Sequence, residues 1–167
     1  ALSLSEVGKT LLVDFDLKKG VLHKNFDLKN DSGTLDNLFE NSSLQPTPVT
    51  GDLDLLTRGK IRKNRNIKIA NRYNQFNDLL DEIRPKYDFI VFDTPPILIT
   101  NDILPFLPSF DKKLLVVNEH ISSKNHTLAA FEKLDQLGQK FDGILYNFHE
   151  DKTTFGYYDY SYKYGYG

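Results

Sequence analysis

The sequence predicts an α/β fold built on a doubly wound, mostly parallel sheet with helices on both faces. Three observations carry this. Short apolar runs rich in branched and aromatic residues recur, as buried strands do: Leu11-Leu12-Val13, Leu53 to Leu56, Phe89-Ile90-Val91-Phe92, Leu114-Leu115-Val116-Val117 and Ile144-Leu145-Tyr146. Helical patterns lie between them, one with Tyr73, Phe76, Leu79, Leu80 and Ile83 on a stripe, another with Leu128, Phe131, Leu134 and Leu137 spaced by three. Pro85 and Gly138 stand near the ends of those patterns, where helices are punctuated.

In chain order, Ala1 to Val7 reads as the last turns of a helix that runs straight into the first buried strand. In a parallel sheet such a helix follows an earlier strand, so a strand and a loop are expected upstream. The chain is read as a core over residues 1–152, lacking that strand and loop, and a tail over 153–167. The tail should be a disordered extension, because it has almost no aliphatic residue with which to build a core. No internal repeat is visible.

Composition narrows the class. The 167 residues fit one domain, and 40% apolar with 26% charged residues is ordinary for a soluble globular protein. The formal charge of −2 sets up no global field for polyanions, and no nucleic acid partner is expected. Without cysteine there is no disulfide framework or thiolate chemistry. No apolar run reaches the roughly 20 residues of a spanning helix.

Gly8-Lys9-Thr10 imitates the end of a phosphate-binding loop, but Ser3 stands where the first glycine belongs and a strand follows where a helix should open. A helix-to-strand turn is the better reading. Two strands end in carboxylates: the first in Asp14-Phe15-Asp16, the third in Asp93-Thr94-Pro95-Pro96. In open α/β sheets, ligands bind at the C-terminal edge. Carboxylates there can hold magnesium, directly or through water, and orient or deprotonate an attacking hydroxyl. A single such aspartate would more simply cap its own loop; two together favour a metal and nucleotide site.

These residues resemble a known family. Leu11 to Gly20 is similar to the second Walker motif of bacterial tyrosine kinases, and Phe89 to Pro96 to their Walker B strand. Tyr87-Asp88, Asp102 and the segment from Leu114 through Gly138 to Asn147 also resemble the family. The resemblance implies a P-loop NTPase-like core of the deviant Walker class, with ATP and Mg2+ as cofactors. It implies in-line transfer of the γ-phosphoryl group to tyrosine, with Asp14 activating or orienting the phenol and Asp16 and Asp93 holding magnesium. It places Asn147 near the adenine. It further implies the cytoplasmic face of the bacterial inner membrane, control of capsular or extracellular polysaccharide polymerisation and export, and a membrane-embedded co-polymerase portion or activator. A cognate phosphatase and a ring-like homo-oligomer, each tail docked in a neighbouring subunit, complete the expectation.

The tail gives the most specific signal. Tyr157, Tyr158, Tyr160, Tyr162, Tyr164 and Tyr166 crowd the last eleven residues and are six of the chain's nine tyrosines. A sticky low-complexity segment is the alternative. In the resembled family such a cluster is the site of autophosphorylation. Lacking a phosphate loop, the chain alone should be inactive. Arg58 to Arg72 departs from the family pattern with seven basic residues and no acidic one: a solvated face, a docking site for acidic or phosphorylated groups, or a nucleic acid contact. His23, His120, His126 and His149 share no metal-binding spacing. Two rival functions remain: a partition-type or septum-positioning ATPase of the same Walker class, and a noncatalytic scaffold whose tail another kinase modifies.

Overall fold

The computed structural model describes residues 1–40, 42–61 and 69–148. By its contacts the chain divides into two compact units, one of Ala1–Asp111 and one that begins at Lys112. The first unit holds α1 (Leu2–Ser5), β1 (Thr10–Asp14), α2 (Leu22–Asn25), α3 (Thr34–Glu40), β2 (Thr47–Thr50), β3 (Leu53–Leu56), α4 (Tyr73–Ile83) and β4 (Phe89–Asp93). Its sheet has the order β2-β3-β1-β4. Strand β1 runs parallel to both neighbours, whereas β2 pairs antiparallel with β3.

The central position of β1 explains its composition. A strand buried on both faces needs no polar alternation, and all five residues from Thr10 to Asp14 are buried. The stripe read on α4 is the buried one: Phe76, Leu79, Leu80 and Ile83 face inward, and the helix gives way to a 3-10 turn, Arg84–Lys86, that contains Pro85. Phe76 lies among Phe15, Phe92, Phe106 and Phe110, with ring centroids 4.8–5.7 Å away in tilted or edge-on contacts. Each such contact contributes about 0.5–1.5 kcal/mol beyond simple burial. This aromatic packing fixes the segment just beyond the C-terminal end of β1.

The second unit contains β5 (Leu114–Asn118), α5 (Lys124–Asp135) and β6 (Gly143–Asn147), with β5 and β6 parallel. Here two expectations need correcting. Both strands were read as buried, yet Leu114, Val116 and Leu145 are 55%, 60% and 52% exposed. The register aligns Leu114 with Gly143 and Val116 with Leu145, so these residues share one open face. Likewise Leu134 is buried while Leu128, Phe131 and Leu137 stay exposed. Strict spacing by three drifts about 60° per step around a helix, which spreads four residues over half its circumference rather than along one stripe. No helix among the described residues is long and apolar enough to cross a membrane.

Candidate active site

Parallel pairing of β1 with β4 aligns Asp14 with Asp93 at adjacent strand ends. The alignment is fastened by the Phe15 N–H, which donates to the Asp93 carbonyl at 2.8 Å. Two of the three carboxylates read from the sequence are thus neighbours by strand register. Asp16 follows in the turn, where its Oδ1 accepts from the Lys19 N–H at 2.9 Å and, more weakly, from Lys18 at 3.3 Å. Asp16 therefore caps its own loop as well as standing beside the pair.

Asp14 is in a different condition. It is fully buried, its Oδ2 accepts from the Leu22 N–H at 3.2 Å, and its Oδ1 is buried with no hydrogen-bond partner. Burial pushes its carboxyl up to about 6, helped by the charges of Asp93 and Asp16, while the Leu22 N–H and the Arg58 guanidinium pull the other way. Although Asp93 is open to solvent, protein packed around it strips water from its carboxyl and raises it too, with Asp16 adding repulsion. Three acidic groups crowd one strand edge, and a cationic ligand or a proton would relieve them.

Arg58 was legible only as the start of a basic run. It lies two residues past the end of β3, at the same sheet edge as Asp14, and its guanidinium donates to the Lys18 carbonyl at 3.1 Å. Its strand-end position is the signal that could have marked it. Lys60 and Arg72 of that run are turned to other partners: Lys60 pairs with Asp31 at 2.5 Å, and Arg72 lies over the Phe39 ring. The residues numbered 62–68 lie outside the described residues.

Lys9 is exposed at the opposite end of β1 from Asp14, about 16 Å away at strand rise. Its backbone N–H donates to Asp88 and its ammonium sits over the Tyr87 ring. Gly8-Lys9-Thr10 is accordingly the turn from α1 into β1 and no phosphate cradle. The Tyr87 hydroxyl donates to Asp54 at 2.7 Å, which commits that phenol. Tyr146, read as lying in a core strand, is in β6 but 55% exposed, so strand pairing rather than burial holds it. Asn147 ends β6 in the second unit, its Oδ1 accepting from the Phe148 N–H. His149 and the tyrosines 157–166 fall outside the described residues.

Gly20 entered the sequence reading only as the last residue of the Leu11 to Gly20 motif, with no role of its own. A Cβ there would stand 2.0 Å from Asp14 Oδ1, so this glycine is the wall against which the carboxylate rests. Gly20→Ala should displace the Asp14 side chain and lower phosphoryl transfer by about tenfold or more while the protein stays folded. Kinetics with circular dichroism on the full-length protein check this.

Among the described residues no three His, Asp or Glu side chains form a ready metal cage. Magnesium does not need one, since it usually binds through one or two carboxylates together with water and phosphate oxygens. Asp93, open to solvent and with Asp16 close enough to repel it, fits that mode.

A mostly parallel α/β sheet with aligned carboxylates at two neighbouring strand ends places the candidate site at the edge where open α/β sheets bind ligands. Comparison with known proteins narrows the class. No family model matches the chain. The putative tyrosine-protein kinase CapB of Staphylococcus aureus is 34% identical over 167 residues, 96% of this chain and 72% of that protein. The tyrosine-protein kinase ptk of Acinetobacter johnsonii is 30% identical over 144 residues; they make up 83% of this chain but only 19% of that longer protein. Among solved structures, the VpsO kinase domain superposes with a TM-score of 0.79 at 29% identity, covering 89% of this chain and 74% of that one. The septum site-determining protein MinD of Pyrococcus horikoshii, at 19% identity and TM-score 0.62, shares the fold alone. The chain belongs to the bacterial tyrosine kinases.

Proposed function

We propose that this chain is the carboxylate-bearing part of an ATP-dependent tyrosine autokinase, and that its targets are Tyr157, Tyr158, Tyr160, Tyr162, Tyr164 and Tyr166. The observation that carries this is the register of Asp14 with Asp93, which sets a buried, incompletely bonded carboxylate beside a second one at the ligand-binding edge of the sheet. In the reaction the bond from the γ-phosphorus to its bridging oxygen breaks, a bond from phosphorus to the phenol oxygen forms, and ADP departs. Asp14 takes or orients the phenol proton, a role favoured by a carboxyl raised to about 6, near working pH. Asp16 and Asp93 would hold magnesium, which when bound neutralises charge on the transferring phosphoryl oxygens. Asn147 would contact the adenine.

The phosphate loop is proposed to lie on an upstream strand and helix. In support, β4 ends the described four-stranded sheet, and its apolar Phe89-Ile90-Val91-Phe92 edge is the kind that proteins normally cover or pair. Residues 1–152 would then be core, 153–167 a substrate tail, and the chain by itself inactive. In this reading the protein works at the cytoplasmic face of the inner membrane, with a co-polymerase portion or activator and a cognate phosphatase, and controls capsular or extracellular polysaccharide assembly.

The full-length protein incubated with magnesium and ATP tests the reading. Phosphotyrosine should accumulate, Asp93→Asn should remove most of it, and Lys9→Ala should leave it nearly unchanged. ATP hydrolysis without phosphotyrosine would favour a partition-type ATPase; an indispensable Lys9 with a dispensable Asp93 would overturn the assignment of the motifs.

A further inference from the structure

Lys18 is the point at which three loops at the ligand-binding edge of the sheet are tied together. Its backbone N–H donates to Asp16 Oδ1 at 3.3 Å, its carbonyl accepts from the Arg58 guanidinium at 3.1 Å, and its ammonium pairs with Asp102 at 2.5 Å. These partners follow β1, β3 and β4 respectively. Asp102 is a firm anchor, because its own N–H donates to Thr100 Oγ1 at 3.1 Å and the next residue, Ile103, is buried. Lys18 and Asp102 also line a cavity of about 340 Å³ whose other walls include Phe15, Pro95, Pro96 and Ile99. The loops after β1 and β4 therefore leave open space between them, and the ion pair is a link across it.

We infer that the Lys18–Asp102 pair is a positioning device for phosphoryl transfer: it anchors the turn from Asp16 to Gly20 and, through that turn, holds both Asp16 and Asp14 in place. The inference rests on the kinase reading and adds two residues that act through others. The turn is closed by the Gly20 N–H, which donates to the Asp16 carbonyl at 2.6 Å, and by the Lys19 N–H on Asp16 Oδ1 at 2.9 Å. At one end stands the Asp16 carboxylate, so a shift of the turn re-aims a proposed magnesium ligand. At the other stands Gly20, where an added Cβ would lie 2.0 Å from Asp14 Oδ1, so the same shift moves the wall on which the buried carboxylate rests. The Leu22 N–H, two residues further on, is the donor to Asp14 Oδ2. Buried Phe15 and Leu17 fix the strand side of this segment, whereas Lys18 and Lys19 are exposed, so the outer half of the turn depends on its polar ties.

Magnitudes separate this role from a merely structural one. The Lys18 side chain is 55% exposed, and an ion pair so open to water adds little to stability. Misplacing catalytic groups by an ångström, in contrast, slows a reaction by as much as about a hundredfold. Loss of the pair should therefore show in rate and not in melting. The Arg58 bond to the Lys18 carbonyl is a second tie, independent of the Lys18 side chain, and it limits the expected loss to about tenfold.

The test uses the full-length protein with Lys18→Ala, Asp102→Ala, the two combined, and Lys18→Arg. Hydrogen exchange read by mass spectrometry on a peptide covering residues 15–22 follows the turn without any turnover. Exchange there should be about tenfold faster in each alanine variant, no faster again in the combined variant, and largely restored in Lys18→Arg. In each alanine variant kcat for phosphotyrosine formation should fall by about tenfold, KM for ATP should move by less than about threefold, and the melting temperature should stay near that of the parent. The combined variant should be no slower than either single one, because both changes break the same link. Unchanged exchange in both single variants, multiplied losses in the combined one, or Lys18→Arg as impaired as Lys18→Ala would overturn the positioning role. Faster exchange in the variants of a parent that forms no phosphotyrosine would leave the anchored turn standing and count against the kinase reading instead.

Discussion

Asp14→Asn is expected to abolish most tyrosine phosphorylation in the full-length protein and, at the same time, to make the fold more stable above pH 6. Both effects come from one environment. Asp14 is fully buried, with one oxygen bonded to the Leu22 N–H and the other to nothing. Burial chiefly, then the charges of Asp93 and Asp16, raises its carboxyl from 3.8 to about 6. A carboxyl whose folded value lies above its unfolded value favours the fold when protonated. That contribution is fully present below pH 3.8 and is lost as pH rises through about 6. At pH 7 to 8 the charged Asp14 therefore opposes folding by about 1–3 kcal/mol, after allowance for water reaching the strand edge. Asparagine removes that charge while keeping an acceptor for Leu22. Thermal denaturation should show the variant more stable at pH 8 and level with the parent below pH 4. Activity should fall by about a hundredfold or more, since neither proton acceptance nor charge stabilisation survives. Loss of stability at pH 8 would mean that Asp14 is a structural residue.

We propose that the protein forms the ring-like homo-oligomer implied by the family resemblance and that phosphorylation takes it apart. A ring in which each tail docks in its neighbour places tyrosines against Asp14, Asp16 and Asp93. Each phosphotyrosine adds about −1.5 to −2 charges, so six add roughly −9 to −12. The unmodified chain carries a formal charge of only −2, and docking among three carboxylates would then meet strong repulsion. The stretch from Arg58 to Arg72 is the competing influence, because arginines capture phosphate bidentately. Lys60 and Arg72 already have partners in the fold, and Arg58 faces Asp14, which weakens the case for capture among the described residues. Light scattering before and after exhaustive phosphorylation should report a fall in particle mass. Retained or increased mass would favour capture.

Most of the scaffold could be read from the chain because each of five strands is a short apolar run and α4 carries one clean stripe. Strand β2 could not, since Thr47-Pro48-Val49-Thr50 has no apolar run and contains a proline that only an edge strand tolerates. The seven-residue α3 has two periodic leucines, Leu35 and Leu38, too few to announce a helix. The open faces of β5 and β6 escaped notice because composition records how apolar a strand is and not whether anything covers it. At the site, Asp14 and Asp93 were legible by strand-end position alone. Arg58 was obscured by the basic residues after it, and Gly20 by the fact that its role is an absence of side chain beside Asp14. The cavity walled by Pro95, Pro96 and Ile99 joins two loops that lie almost eighty residues apart in sequence, a proximity only the fold creates.

Phosphosite mapping bears most directly on the central claim. Full-length protein incubated with magnesium and ATP, digested and analysed by peptide mass spectrometry, should carry phosphate on several of Tyr157, Tyr158, Tyr160, Tyr162, Tyr164 and Tyr166, with Tyr87 and Tyr146 unmodified. Tyr87 is committed to Asp54 and Tyr146 is fixed in β6. Phosphate confined to residues before Phe155 would contradict the account.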